Sequence, residues 1–280
     1  MFGPLSSSLP LAIGLAALLS PAAGLSVSVP SPRDLLNDPC ATFRLPPRIV
    51  NSTYLDETTV EHAWIEPPFG FGYGKWALSW TSIPDYWEWY NMQNEWYPLQ
   101  STQQNSTSPL STLHPTKIAD INSFNLPPSN TTVTTPGTDT PLHGIPYAWN
   151  YTVPASIMFE TDYTCWAGWG YDFYAQGAPY FVSYDASTVG VKDMSFGVSI
   201  YSARETGPTD RTVAEIAGCF DGLGSGTFAD LFRSMKRTPV DGKRSGRLSW
   251  RAGSNGYERD EEAEKERERL IGRGSEQFLL

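Results

Sequence analysis

The chain has 280 residues, with 20 Lys+Arg against 30 Asp+Glu and a formal net charge of −10. Nucleic-acid binding needs a basic face, so an acidic body excludes it. Only three cysteines are present, which excludes a cysteine-stapled miniprotein and leaves a hydrophobic core to hold the fold.

The chain opens with MFGPLSSSLPLAIGLAALLSPAAG, an apolar run from Leu9 to Leu19 followed by small residues up to Gly24. That run is too short to span a bilayer and reads as a secretory signal peptide over 1–24. No other apolar run approaches membrane-spanning length, so the mature chain is expected to be exported without a membrane span. Sequons at Asn51, Asn105, Asn130 and Asn150 fit a secreted, extracellular glycoprotein.

Residues 25–64 read as an N-terminal arm carrying Cys40. Nine of the ten tryptophans then fall between Trp64 and Trp169, which assigns the aromatic core to the middle of the chain. WALSW, YWEWY, YAWNYTV, ASIMFE, CWAGWGYDFY, APYFVSY and MSFGVSIYS are short, aromatic or β-branched, and bounded by Gly, Pro, Asp or Asn. They read as strands. The Ser/Thr/Pro-rich stretch 100–145 reads as an insertion or loops, with room for a short strand from Lys117 to Phe124.

One helix follows. Thr209 or Asp210 can cap it, Val213, Ile216 and Phe220 share a face, and Gly222 stops it. Gly222-Leu-Gly-Ser-Gly lacks the lysine of a phosphate loop and follows a helix rather than a strand. The body up to Phe232 has a net charge of −13, whereas the remainder has +3, and eleven of the twelve residues in 258–269 are charged. No apolar face is left there to bury, so 226–280 reads as a charged, disordered tail. Its Lys236-Arg237 pair is a candidate dibasic processing site, or else an uncut linker.

Many short strands and one late helix describe an all-β fold, as a barrel or a sandwich. Three stretches go further. YGKWALSW carries Gly74-Lys75-Trp76, FETDYTCW carries Thr161-Asp162-Tyr163, and IYSARETG places Arg204 between a strand end and the helix. In this order they resemble the three motifs of the lipocalins, within the calycin superfamily. The resemblance covers about residues 65–225 and implies an eight-stranded up-and-down antiparallel barrel with one C-terminal helix. By it, Gly74, Trp76, Thr161, Asp162, Tyr163 and Arg204 close one end of the barrel. Arg204 would lie across the Trp76 indole, and Thr161–Tyr163 would sit in the turn between the sixth and seventh strands. The arm-to-barrel bridge found in several lipocalins makes Cys40–Cys165 the first choice of disulfide, with Cys219 able to replace either partner.

A barrel of this size can hold one small apolar molecule. Strand parity places Leu78 and Trp80 inside with Trp76, then Trp87 and Trp89, then Cys165, Ala167 and Trp169, with Trp166 outside. Leu78, Trp80, Trp87, Trp89 and Trp169 are therefore the candidate lining of a site for a small hydrophobic ligand. The alternatives are a solid core, an extracellular glycan- or cell-wall-binding module using TSIPDYWEWY as a platform, and a lipocalin-type enzyme. His62, His114 and His143 are scattered without metal-ligand spacing. No catalytic residue, metal site or cofactor is assigned.

Overall fold

The computed structural model describes residues 38–46, 64–68, 70–99, 117–127, 131–141, 147–152, 162–186, 197–244, 248–253, 256–262 and 265. The signal-peptide reading and the sequons at Asn51, Asn105 and Asn130 lie outside them. Eight strands run in chain order: β1 Gly74–Thr81, β2 Tyr90–Pro98, β3 Ile118–Asn125, β4 Thr132–Pro141, β5 Ala148–Thr152, β6 Asp162–Asp172, β7 Ala178–Ala186 and β8 Gly197–Ser202. Each pairs antiparallel with the next, and β8 returns to β1. The sheet is a closed up-and-down barrel, which removes the bare edges of an open sheet.

Alternation along the strands sorts the apolar side chains into two cores. Phe181 on β7 meets the rings of Trp76 on β1, Trp96 on β2, Trp166 on β6 and Tyr201 on β8 at 4.2–5.4 Å. Strands on opposite walls can meet only through the interior, so this cluster fills the barrel. The residues between them, among them Cys165, Ala167, Val182 and Ile200, point outward. They pack against helices α1 Asp210–Gly222 and α2 Gly226–Arg233 through Ile216, Phe220, Phe228 and Phe232. Thr209 and Ser225 cap these helices by accepting from the amides of Thr212 and Phe228.

The disulfide joins Cys40 to Cys219, tying the arm to α1. It is not the Cys40–Cys165 bridge, because Cys165 sits on the outer wall of β6 as a free, buried thiol. Burial pushes that thiol up to about 12, so it is no nucleophile at neutral pH.

Two further expectations are corrected. The Ser/Thr/Pro-rich stretch carries the expected short strand as β3 and, where loops were expected, also forms β4. Of the expected tail, residues 226–244, 248–253 and 256–262 are placed in the fold. After α2, β9 Lys236–Arg237 pairs with Thr81 and Trp80 on β1. Thr238 then donates its amide to Ser79 O at 3.0 Å and its hydroxyl to Leu78 O at 2.6 Å. The neighbouring strand is caught as well. Asn91 N–H donates to Pro239 O at 2.9 Å, and Arg244 donates to the carbonyls of Asn91 and Met92.

β1 and β2 pair only from Gly74 to Ala77. Residues 236–244 therefore fill the gap where these two strands diverge. The segment then reaches Lys75 through Ser249 and ends in a hairpin, β10 Trp250–Gly253 with β11 Gly256–Arg259.

Candidate functional site

One end of the barrel is sealed. Gly74 has φ 104°, a left-handed conformation that favours glycine and lets the arm turn under the barrel. Trp76 then enters the interior fully buried and donates its indole N–H to Gly72 O at 2.9 Å. Phe71, Phe181 and Trp250 surround its ring at 5.6, 5.0 and 6.1 Å.

Arg204 does not stack on this ring. Its guanidinium faces the Asp172 carboxylate at 3.6 Å, and an aromatic ring from the C-terminal hairpin lies beside Trp76 instead. The expected role of Thr161–Tyr163 is also displaced. Thr161 lies outside the described residues, and Asp162 and Tyr163 begin β6 at the opposite end of the barrel. The turn between β6 and β7 is built by Asp172. Its buried carboxylate accepts from Tyr174 N–H, Thr209 N–H and the Thr212 hydroxyl at 3.0, 2.7 and 2.7 Å. Asp172 thus caps the turn and docks the start of α1 together. The signal was present in YDFYAQG, an aspartate ahead of a Gln-Gly pair that both take positive φ.

The candidate lining residues separate. Leu78 and Trp169 are interior and fully buried, with the Trp169 indole N–H donating to Ile65 O at 2.7 Å. Trp80 is outside. Ser79 forms a bulge, Leu78 facing Tyr201 and Trp80 facing Ile200, and this flips the parity so that Arg237 covers the Trp80 ring at 4.5 Å. Trp87 and Trp89 precede β2 instead of lying on it. Trp87 is held between Thr81 O and Lys236, whereas Trp89 stacks on Phe124 at 4.0 Å. On β6 the parity is the reverse of that expected: Trp166 is inside, and Cys165 and Ala167 are outside. A register shift between Trp166 and Gly168 then returns Trp169 to the interior.

Trp76, Leu78, Trp169 and Phe181 are each 0% exposed, so the sealed half of the barrel is a solid aromatic floor. A polar layer shares the interior face, and nothing in the sequence reading assigned it. Asp120 on β3 lies opposite Trp96, and its Oδ1 accepts from Asn94 Nδ2 at 3.1 Å and from Asn122 Nδ2 at 3.3 Å. Asn122 also reaches the Tyr151 hydroxyl at 3.2 Å, and Tyr151 lies opposite Asp139 on β4. Gly137 makes room for this tyrosine, since a Cβ there would lie 2.3 Å from the Tyr151 ring. Asp139 lies beside Asp120 with the Trp96 indole against both carboxyls, and on β7 Asp185 accepts from the Thr164 hydroxyl at 2.9 Å.

Burial sets the chemistry of these acids. Loss of water pushes Asp120 up to about 7 despite its donors, and Asp185 up to about 6. The same desolvation, reinforced by the charge of Asp120, holds Asp139 well above the usual carboxylate range. Asp120 and Asp139 thus form a buried carboxyl pair in which lost hydration and mutual repulsion favour the protonated form. Among the described residues no Lys, Arg or His faces them: Lys75, the one basic residue on the eight strands, points outward to Glu95 at 2.8 Å. No group of acids, histidines or cysteines among the described residues has metal-binding geometry.

No family model matches the chain, and no curated protein does. Among solved structures, apocrustacyanin C1 aligns at 14% identity over 61% of this chain and 79% of its own, with a TM-score of 0.38. Apocrustacyanin C2 aligns at 12% identity over 62% of this chain and 79% of its own, with a TM-score of 0.38. The closure of β8 on β1, the tryptophan-plugged end and the two helices on the outer wall give this chain an eight-stranded up-and-down barrel, the fold that the resemblance to the lipocalins implies.

Proposed function

We propose that this chain is a secreted glycoprotein that binds a small, largely hydrophobic molecule in the barrel, on the side away from the sealed end. The observation that carries this reading is the change in the interior from a solid aromatic floor to a polar layer. A pocket with apolar walls and a few convergent polar groups is the usual form of a small-molecule site. Export is supported by the signal-like leader, the four sequons and a disulfide of the kind that persists in oxidising compartments. Asn150 lies on β5, on the face that alternates with Trp149 and Tyr151.

The glycan-platform reading loses its platform. Trp87 is covered by Lys236 and Trp89 by Phe124. An enzymatic reading is favoured by one observation, the Asp120–Asp139 pair, which is suited to acid–base work near neutral pH. Native mass spectrometry of the protein secreted from its own source, followed by organic extraction, tests both. A stoichiometric apolar adduct supports the carrier. An adduct that is chemically altered over time supports the enzyme. A clean apo mass, with no uptake of added hydrophobic probes, overturns both.

A further inference from the structure

The acceptors of the polar layer are incompletely matched. Asn94 is 3% exposed and Asp139 is 1% exposed, and Oδ1 of each has no hydrogen-bond partner among the described residues. Asn94 is turned into the cluster, because its Nδ2 donates to Asp120. A buried acceptor left unmatched costs free energy, and two of them beside one carboxyl pair call for a donor. The walls cannot supply a charge to match. The titratable groups turned to this layer are Asp120 on β3, Asp139 on β4, Tyr151 on β5, Asp185 on β7 and Tyr201 on β8, all acids.

We propose that the molecule held here has an apolar body and a protonated amine head, with the ammonium donating to Asp139, Asn94 and the Asp120 carboxylate. This rests on the carrier reading above and narrows it. An ammonium has three donors and no acceptor, which complements a site composed of acceptors. It also brings the positive charge that the interior lacks, and a charge-assisted hydrogen bond in a desolvated site is strong. The apolar body would lie on the side of this layer away from the sealed end, because the aromatic floor beneath is fully buried. A bound water would satisfy the same acceptors but not the charge, so a neutral analogue separates the two cases.

The test uses the secreted full-length chain and three probes that share one ring system: 1-naphthylmethylamine, 1-naphthalenemethanol and 1-naphthoate. Calorimetry at pH 8 should show the amine binding at least about tenfold tighter than the alcohol, with the carboxylate weakest. The amine needs the ionised form of a pair in which Asp120 titrates at about 7. Its affinity should therefore fall about tenfold from pH 8 to pH 6, while the alcohol is unaffected. A variant carrying both Asp120→Asn and Asp139→Asn should lose the preference for the amine over the alcohol. Equal binding of amine and alcohol to the wild type overturns this inference and leaves the carrier reading standing. Failure of all three probes to bind overturns both.

Discussion

At the scale of single residues, the sealed end depends on Asp172 more than on the arginine beside it. Its side chain is fully buried and is held by donors from the turn and from α1. Asp172→Ala should cost about 3–5 kcal/mol in a denaturant titration, because buried donors lose an ionised partner. Arg204→Ala should cost only about 1 kcal/mol, since its side chain is 28% exposed, its guanidinium comes no closer to Asp172 than 3.6 Å and Asp172 keeps its other donors. Trp76→Ala truncates the floor and should cost about 3–5 kcal/mol.

The buried acids make a prediction of opposite character. Asp120 titrates at about 7 in the folded chain and near 4 when unfolded, so between these values the folded state holds the extra proton. Stability should then fall as pH rises through that window, by up to about 1.4 kcal/mol per unit for one proton. Thermal melts at pH 5 and pH 8 check this, and Asp120→Asn should flatten the difference. A T-D-Y at 161–163 was easier to see in the sequence than the Asp172 turn, because a tripeptide can match anywhere. The number of donors converging on an aspartate exists only in three dimensions.

At the scale of elements, legibility followed the polarity of the interior. Strands β1, β6, β7 and β8 carry aromatics on their inward face and stood out in the sequence. Strand β4, TVTTPGTDTP, lies opposite Asp120, Asn122 and Tyr151, and its inward residues include Gly137 and Asp139. An inward face of this kind leaves no hydrophobic alternation, so the strand looked like a loop. A bulge accounts for the misplaced Trp80, since one extra residue at Ser79 reverses the side chains after it, whereas Trp87 and Trp89 fall before β2 begins. The C-terminal segment was missed because it docks through backbone hydrogen bonds and one tryptophan, neither of which needs an apolar stripe.

Its Lys236-Arg237 pair is engaged. Lys236 lies over Trp87, and Arg237 binds Asp210 at 2.6 Å and the carbonyl of Thr206. A dibasic protease should therefore leave this bond intact in the folded chain, which intact-mass analysis after digestion would reveal. A chain ending at Met235 should melt at a lower temperature and show red-shifted tryptophan emission. It would lose Trp250 from the floor and bare the outer half of β1.

At the scale of the whole molecule, distant parts of the chain hold one another in place. The disulfide spans 179 residues, and replacing Cys40 and Cys219 by serine should cost about 2–5 kcal/mol. Cys165 is then the one cysteine left, and because it is buried on the outer wall a thiol titration under native conditions should find no reactive group. The barrel and its sealed end could be inferred from sequence because a plug of tryptophan beside a glycine turn is local. The acid layer could not, since it is assembled from β2, β3, β4, β5 and β7 across the barrel.

The seam between β1 and β2 also gives the molecule an order of completion. Lys75 meets Ser249 across 174 residues, and protein synthesis runs at about 5–20 residues per second. On the order of 10–35 s therefore separates the making of the first strand from that of the segment that seals it. Throughout that interval the outer half of β1 offers an unpaired edge to anything nearby. A chain that stops before residue 236 keeps the closure of β1 on β2 at Gly74–Ala77 but leaves the outer half of β1 without the partner that covers it.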